Sequence, residues 1–249
     1  MRSIWTIAAR EILSFFVSPI AYVVLTVWLV LQGLTLYMFA VYFATQPYIT
    51  GAVTETPLTM FFGRSSLFYM GLLVVVPLLT MRLLAAEQRN GTIEPLLTAP
   101  VTELQVVLGK YLAAMVFWLV LWLPSVLYVL ILGNYGHVDP GVVATSYLGV
   151  FCIGLYYMAI GLLMSAVSSS QIVAATLTFM MVMVLFLLGV GEMVFDGTPK
   201  EVFGYLSIWG HMEDFSKGIV DSRHIVVSLS LTVLPLFLAV RVLQGRRYS

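Results

Sequence analysis

The chain has 249 residues, 61% of them apolar and only 10% charged, with a formal net charge of zero. Soluble domains sit near about 45–50% apolar and about 25% charged, so a water-soluble enzyme with one large core is excluded and an all-α polytopic membrane protein is expected. Zero net charge leaves no electrostatic footprint for nucleic acid, and the lone cysteine, Cys152, sits in an apolar run and excludes an intrachain disulfide framework.

Residues 1–18 are amphipathic. Ile4, Ile7, Ala8, Ile12, Phe15 and Phe16 recur at helical spacing, while Arg2, Thr6, Arg10 and Ser14 lie away from that face. The pattern predicts a helix lying in the membrane interface with Trp5 as an anchor. Pro19 ends it, because the residue before a proline is pushed out of the α region.

A membrane-crossing helix needs about 20 apolar residues. The run from Pro19 to about Ala44 qualifies, and it is too long for the apolar part of a cleaved leader. A second span is expected between Arg64 and Arg82, with Arg82 snorkelling so that the helix continues toward Ala86.

Thr80 to Lys110 is a charged, turn-forming island between apolar runs. Asn90-Gly91 signals a turn. Thr92 then caps a short helix with Glu94 in its first turn and Pro95 early enough to be tolerated, and Ala99-Pro100 stops it. Ile93, Leu96 and Leu97 give this helix an apolar face suited to a docked protein. Thr102 and Gln105 form a capping-box pattern that starts the third span, about Val107 to Leu132.

No residue between Asp139 and Glu192 is charged, a length that fits two helices, with Ser168-Ser169-Ser170-Gln171 as the hairpin between them. Gly154 and Gly161 share a face of the fourth span and allow close packing there. Phe203 to Arg223 mixes aromatics with charges: Tyr205, Trp209, Phe215 and Ile219 suit an interface, while Glu213, Asp214, Lys217 and Asp221 suit water. One or two short helices are expected, with Gly210 and Gly218 as breaks. The sixth span covers about Ile225 to Val240. Pro77, Pro124 and Pro235 fall inside spans, as kinks or hinges.

Six spans put both termini on one side. Arg2, Arg10, Arg82, Arg89, Lys110, Arg241, Arg246 and Arg247 fall on that side, and Arg64, Lys200, Lys217 and Arg223 on the other. The basic excess predicts that both termini and the island are cytoplasmic. No nucleotide-binding loop is present, since Gly109-Lys110 is followed by Tyr111. His137, His211 and His224 read as far apart and offer no metal site. Glu192 is expected to reach the outer interface. An intramembrane protease or lipid transferase would need paired ionisable groups at one depth, and none is visible.

Three stretches resemble the permeases of ABC-2 type transporters, in particular the gliding-motility-type branch. They are Arg10-Glu11 with Phe16-Val17-Ser18-Pro19-Ile20-Ala21-Tyr22; Pro77 to Arg82 with Glu87, Gly91-Thr92-Ile93-Glu94, Leu96 to Pro100 and Gly109-Lys110; and His211, Phe215, Gly218 and Asp221. Pro95 departs from the pattern, where leucine is more usual. The resemblance implies one transmembrane domain over residues 1–249. Its parts are a connecting helix (1–18), spans one and two (19–86), a cytoplasmic coupling segment (87–103), spans three to five (104–194), an outer loop with short re-entrant helices (195–224), and the sixth span with a basic tail (225–249). It implies that Glu87, Arg89, Gly91, Thr92, Glu94, Leu96, Leu97 and Pro100 couple to a cytoplasmic ATPase dimer that holds ATP and Mg, and that Arg10 and Glu11 belong to the connecting helix. Glu87 is expected to pair with a base on that ATPase or with Arg10.

The implied partners are that ATPase, a second permease copy or paralogue, the bilayer of the bacterial cytoplasmic (inner) membrane, and a membrane-anchored extracytoplasmic companion of the gliding type. This chain would bind no cofactor and catalyse nothing. Its output would be export, or mechanical work on an envelope machine with no solute moved.

Overall fold

The computed structural model describes residues 2–45, 56–91, 101–134, 138–194, 204 and 207–247, without the side chains of Arg2, Glu192, Met193, Val194 and Arg247. The expected helix around Thr92 to Ala99, together with Pro100, His137 and Tyr205, lies outside the described residues.

Helix α1 (Arg2–Val17) and helix α2 (Pro19–Thr45) meet at Ser18, where the proline rule places the break. The apolar face of α1 does not turn to lipid. Ile7, Ala8 and Phe15 are buried against helix α6 (Glu103–Trp122), and the Phe15 ring lies 5.1 Å from that of Phe117. A Cβ on Gly109 would come within 2.8 Å of Ile7, so only glycine lets α1 sit this close to α6. The exposed stripe of α1 is Trp5, Leu13 and Val17, at 69%, 66% and 81% exposure. A second apolar stripe is therefore left open along α1, with Trp5 about two turns before Leu13 and Val17 one turn after it.

Helix α3 (Pro57–Gly63) is an element with no counterpart in the sequence reading. Thr56 and Thr59 close a reciprocal capping box and Pro57 sits at the first position. It meets helix α4 (Ser66–Thr80) at 41°. The expected continuation of α4 to Ala86 does not occur: the helix stops at Thr80, and helix α5 (Ala85–Arg89) follows after a turn. The Gly91 backbone is left-handed at φ 68°, as the Asn90-Gly91 turn requires.

Thr102 and Gln105 form the expected capping box on α6. Pro124 marks the join of α6 to helix α7 (Ser125–Gly133), whereas α4 runs through Pro77 and the last helix through Pro235 without interruption. Helix α8 (Pro140–Val167) and helix α9 (Gln171–Val194) form the serine hairpin, where Ser168 Oγ donates to Ser170 O and accepts from its N–H. Helix α10 (Ile208–Ser216) precedes helix α11 (Ser222–Arg247). Gly218, at φ 84°, is a break, but Gly210 is not: Ser207 caps the first turn by accepting from Gly210 N–H. Phe215 is buried in protein rather than lying at an interface.

Among the described residues, five helical stretches are long and apolar enough to cross a membrane: Pro19–Thr45, Glu103–Gly133 (α6 with α7), Pro140–Val167, Gln171–Gly191 and Ser222–Arg246. The bent pair α3 and α4 makes a sixth if it counts as one span. Helix α8 is the hub, with 72% of its most apolar stretch buried against 22–33% for the other four. Its glycines permit this. Positions 149, 154 and 161 face Phe215, Trp118 and Thr80 at distances that a side chain would violate. No strand occurs among the described residues.

Candidate functional site

The basic end of the bundle, where α8 ends, carries a charged knot. Lys110 lies on α6, seven residues into a helix that is otherwise nearly all apolar, and is 1% exposed. A buried ammonium is tolerated only when paired. Its Nζ donates to Glu11 Oε2 of α1 at 3.0 Å and lies 3.0 Å from Glu87 Oε1 of α5. The same Glu87 oxygen accepts from Arg10 at 3.2 Å. One lysine thus holds two carboxylates, and three helices meet at its head. The expected pairing of Glu87 with Arg10 is present, and Gly109-Lys110 divides its work: glycine admits α1, lysine fastens it.

Beside the knot, the backbone turn between α4 and α5 is held by α8. Buried Ser165 accepts from Leu84 N–H at 2.9 Å and Ala85 N–H at 3.0 Å, and donates to Met81 O at 3.1 Å. These are groups that a helix start and a helix end would otherwise leave bare. This cap is the reason α4 stops short of Ala86. Arg82 does not snorkel freely. It donates to Ser18 Oγ at 2.8 Å and its guanidinium stands 5.6 Å over the Phe15 ring.

The far side of α5 is tied as well. Gln88 Nε2 donates to Ala166 O at 2.8 Å, and Arg246 of α11 donates to Gln88 Oε1 at 2.7 Å and Val167 O at 2.8 Å. An arginine on the terminal carbonyls of a helix also suits the helix dipole. Helices α1, α6, α8 and α11 therefore all grip α5, the five residues that lead into the Gly91 turn.

Of the residues expected at the site, Arg10, Glu11 and Glu87 come together here. Gly91 and Arg89 lie at the exposed end of α5. Thr92, Glu94, Leu96, Leu97 and Pro100 lie outside the described residues. Pro77, Pro124 and Pro235 do not belong to the knot. The sequence reading missed Lys110 as the centre, and missed Ser165, Gln88 and Arg246. Lys110 carried a signal: a cation inside an apolar span demands an acid at its own depth. The others carried none.

Among the described residues no group of three or more metal-ligating side chains could hold a metal ion. His211 and His224 are not far apart; their rings are 4.1 Å from centroid to centroid.

A bundle of apolar helices around one central span, with a fixed polar platform at one end, defines a multi-pass membrane protein. The sequence model of the ABC-2 family transporter proteins matches residues 5–202, and the chain belongs to that family. No curated protein matches the chain. ABC-2 chains are membrane subunits, generally not catalytic themselves, and generally work with a cytoplasmic ABC ATPase.

Proposed function

We propose that this chain is the permease subunit of an ABC-2 machine in a bacterial cytoplasmic membrane, driven by a separate ATPase dimer and paired with a second permease. The bent helices α3 and α4 form the second of six spans, with both termini in the cytoplasm. Residues Thr92 to Ala99 dock on the ATPase as the coupling helix, and α1 serves as the connecting helix. The observation that carries this reading is the grip on α5. A push on the coupling segment enters the bundle at Gly91, and α5 is bonded there to four other helices. Load applied at one point then moves them together, as rigid-body switching requires.

The output is export of an apolar or amphipathic molecule, or mechanical work on the envelope. An apolar groove of about 240 Å³ lined by Trp118, Trp122, Val126, Tyr147 and Phe151, among others, supports an apolar path. The gliding-type branch and its extracytoplasmic companion remain part of this proposal on sequence resemblance alone.

The test is Glu87→Ala in the complex reconstituted with its ATPase. The expected result is normal membrane insertion and continued ATP hydrolysis, with the transported or mechanical output reduced at least about tenfold, the loss of about 1.4 kcal/mol of coupling free energy. Unchanged output per ATP hydrolysed would sink the reading.

A further inference from the structure

One polar side chain that the coupling scheme does not use lies in the middle of a span. Gln32 is the central residue of α2, about 20 Å along the helix from either end, and is 1% exposed. It belongs to the buried stripe of α2, with Trp28 one turn before it and Thr35 and Leu36 one turn after, and α2 packs on α3 and α4. Among the described residues, neither Gln32 Nε2 nor Gln32 Oε1 has a hydrogen-bond partner. A carboxamide buried in this way is costly, because nothing replaces the bonds it made to water.

Two further unpaired groups adjoin it through Trp28. The Nε1 atoms of Trp28 and Trp122 are buried and, among the described residues, equally without a partner. The two rings meet edge to face at 5.1 Å. Neither is free to turn away. A Cβ on Gly71 of α4 would stand 2.9 Å from the Trp28 ring, and Phe68 packs on both indoles at 6.3 and 5.3 Å. One turn before Trp122, the Trp118 indole shows the ordinary arrangement and donates to Val150 O.

Trp122 also lines the apolar groove, together with Trp118, Val126, Tyr147 and Phe151. At about 240 Å³ the groove falls below the range of about 300 Å³ and upward that encloses a whole drug-sized ligand, so it takes one chain or ring. Helices α2, α4 and α7 contain no charged residue, and α6 has none after Lys110. The unpaired groups are thus all neutral: two indole N–H donors, one amide NH2 and one amide oxygen. They suit a carbonyl, ether or hydroxyl oxygen and offer nothing to offset a charged head.

From this placement we propose that Gln32, Trp28 and Trp122 bind the uncharged, oxygen-bearing head of an amphiphile whose apolar body lies in the groove. The indoles and the Gln32 amide donate to the head, and Gln32 Oε1 accepts from its hydroxyl. The Trp122 ring is the wall between the two parts. It stands just before the join of α6 and α7, where Pro124 lacks the N–H that would continue the helix ladder. A shift of α7 about that join opens the way from groove to Gln32. The site deepens the export reading above and rests on it for the direction of movement, whereas binding is read in this chain without its ATPase.

The experiment is photolabelling of the full chain in lipid nanodiscs by a monoacylglycerol with a diazirine in its acyl chain, with the labelled peptides read by mass spectrometry. Labels are expected on the groove segments of α6, α7 and α8. Unlabelled monooleoylglycerol is expected to displace them at least about tenfold more effectively than octadecene or oleate. Gln32→Met keeps the volume and Trp122→Phe keeps a ring, and each removes the polar atoms. Each is expected to cut the preference over octadecene below about twofold. Gln32→Met is also expected to leave the thermal midpoint unchanged or raised, because no bond within the described chain is lost. Equal displacement by the three competitors in the wild-type chain overturns the site, and so does an undiminished preference in either variant. A lowered midpoint for Gln32→Met overturns it too, since the amide then serves the fold through bound water rather than a ligand. The readout involves no ATPase, so loss of this site and failure of the Glu87→Ala test are separate results.

Discussion

Lys110→Met is expected to free α1 and α5 from α6 while leaving the chain in the membrane. The substitution leaves Glu11 and Glu87 facing each other without their shared cation, both largely buried at 14% and 17% exposure. Removing the central cation of a buried ion cluster costs about 3–5 kcal/mol, because Glu11 loses the ammonium that compensates its burial while Arg10 still reaches only Glu87 Oε1 from an exposed position. Insertion is not impaired, since a cation inside a span is itself costly to place in lipid. The check is the thermal midpoint of the purified protein, together with tryptic cleavage after Arg10, which becomes fast once α1 lifts. Replacing Glu11, Glu87 and Lys110 together by leucine, leucine and methionine is expected to restore most of the stability, as fully apolar replacements of buried ion clusters do. It is not expected to restore output, because Arg10 and α5 are then no longer joined.

Gly154→Ala is the second large effect. A Cβ there would fall inside the indole of Trp118, which is fully buried and donates from Nε1 to Val150 O at 3.2 Å. Trp118 cannot withdraw easily, since Trp122 lies 5.9 Å away on one side. Overpacking of this kind costs about 1–3 kcal/mol, and stranding the indole N–H adds about 1–3 kcal/mol. Gly133→Ala is the control. Nothing lies within 4 Å of the added methyl, and the thermal midpoint is expected to stay within the range of a neutral surface change. A midpoint for Gly154→Ala equal to that of Gly133→Ala would contradict the close packing of α8 on α6.

Features written in neighbouring residues were legible in the sequence. The break before Pro19, the serine hairpin, the Thr102–Gln105 cap and the Asn90-Gly91 turn each need only a few adjacent residues, and each is present. Features made by distant residues were not. The stop of α4 at Thr80 depends on Ser165, more than eighty positions along the chain. The knot brings Glu11 to a lysine 99 positions away. Hydrophobic periodicity found the apolar face of α1 but could not say whether lipid or α6 covers it, because both are apolar; Gly109 is what decides for α6. Gly210 read as a break because glycine is a poor helix former, yet the capping hydroxyl of Ser207 outweighs that preference.

The knot also explains why a segment with no chemistry of its own can matter. Glu87 and Gln88 precede the Gly91 turn directly, and their bonds run to α1, α6, α8 and α11. A displacement of the turn cannot be absorbed by α5 alone, since a five-residue helix has no stability apart from its neighbours.

The most direct test is a photo-reactive amino acid at Leu97, with the permease expressed beside its ATPase and illuminated in membranes. The account predicts an adduct whose proteolysis yields a peptide with a Walker phosphate-binding loop, at a yield that changes when a non-hydrolysable ATP analogue is added. Adducts to lipid or to this chain alone, unaffected by nucleotide, would contradict it.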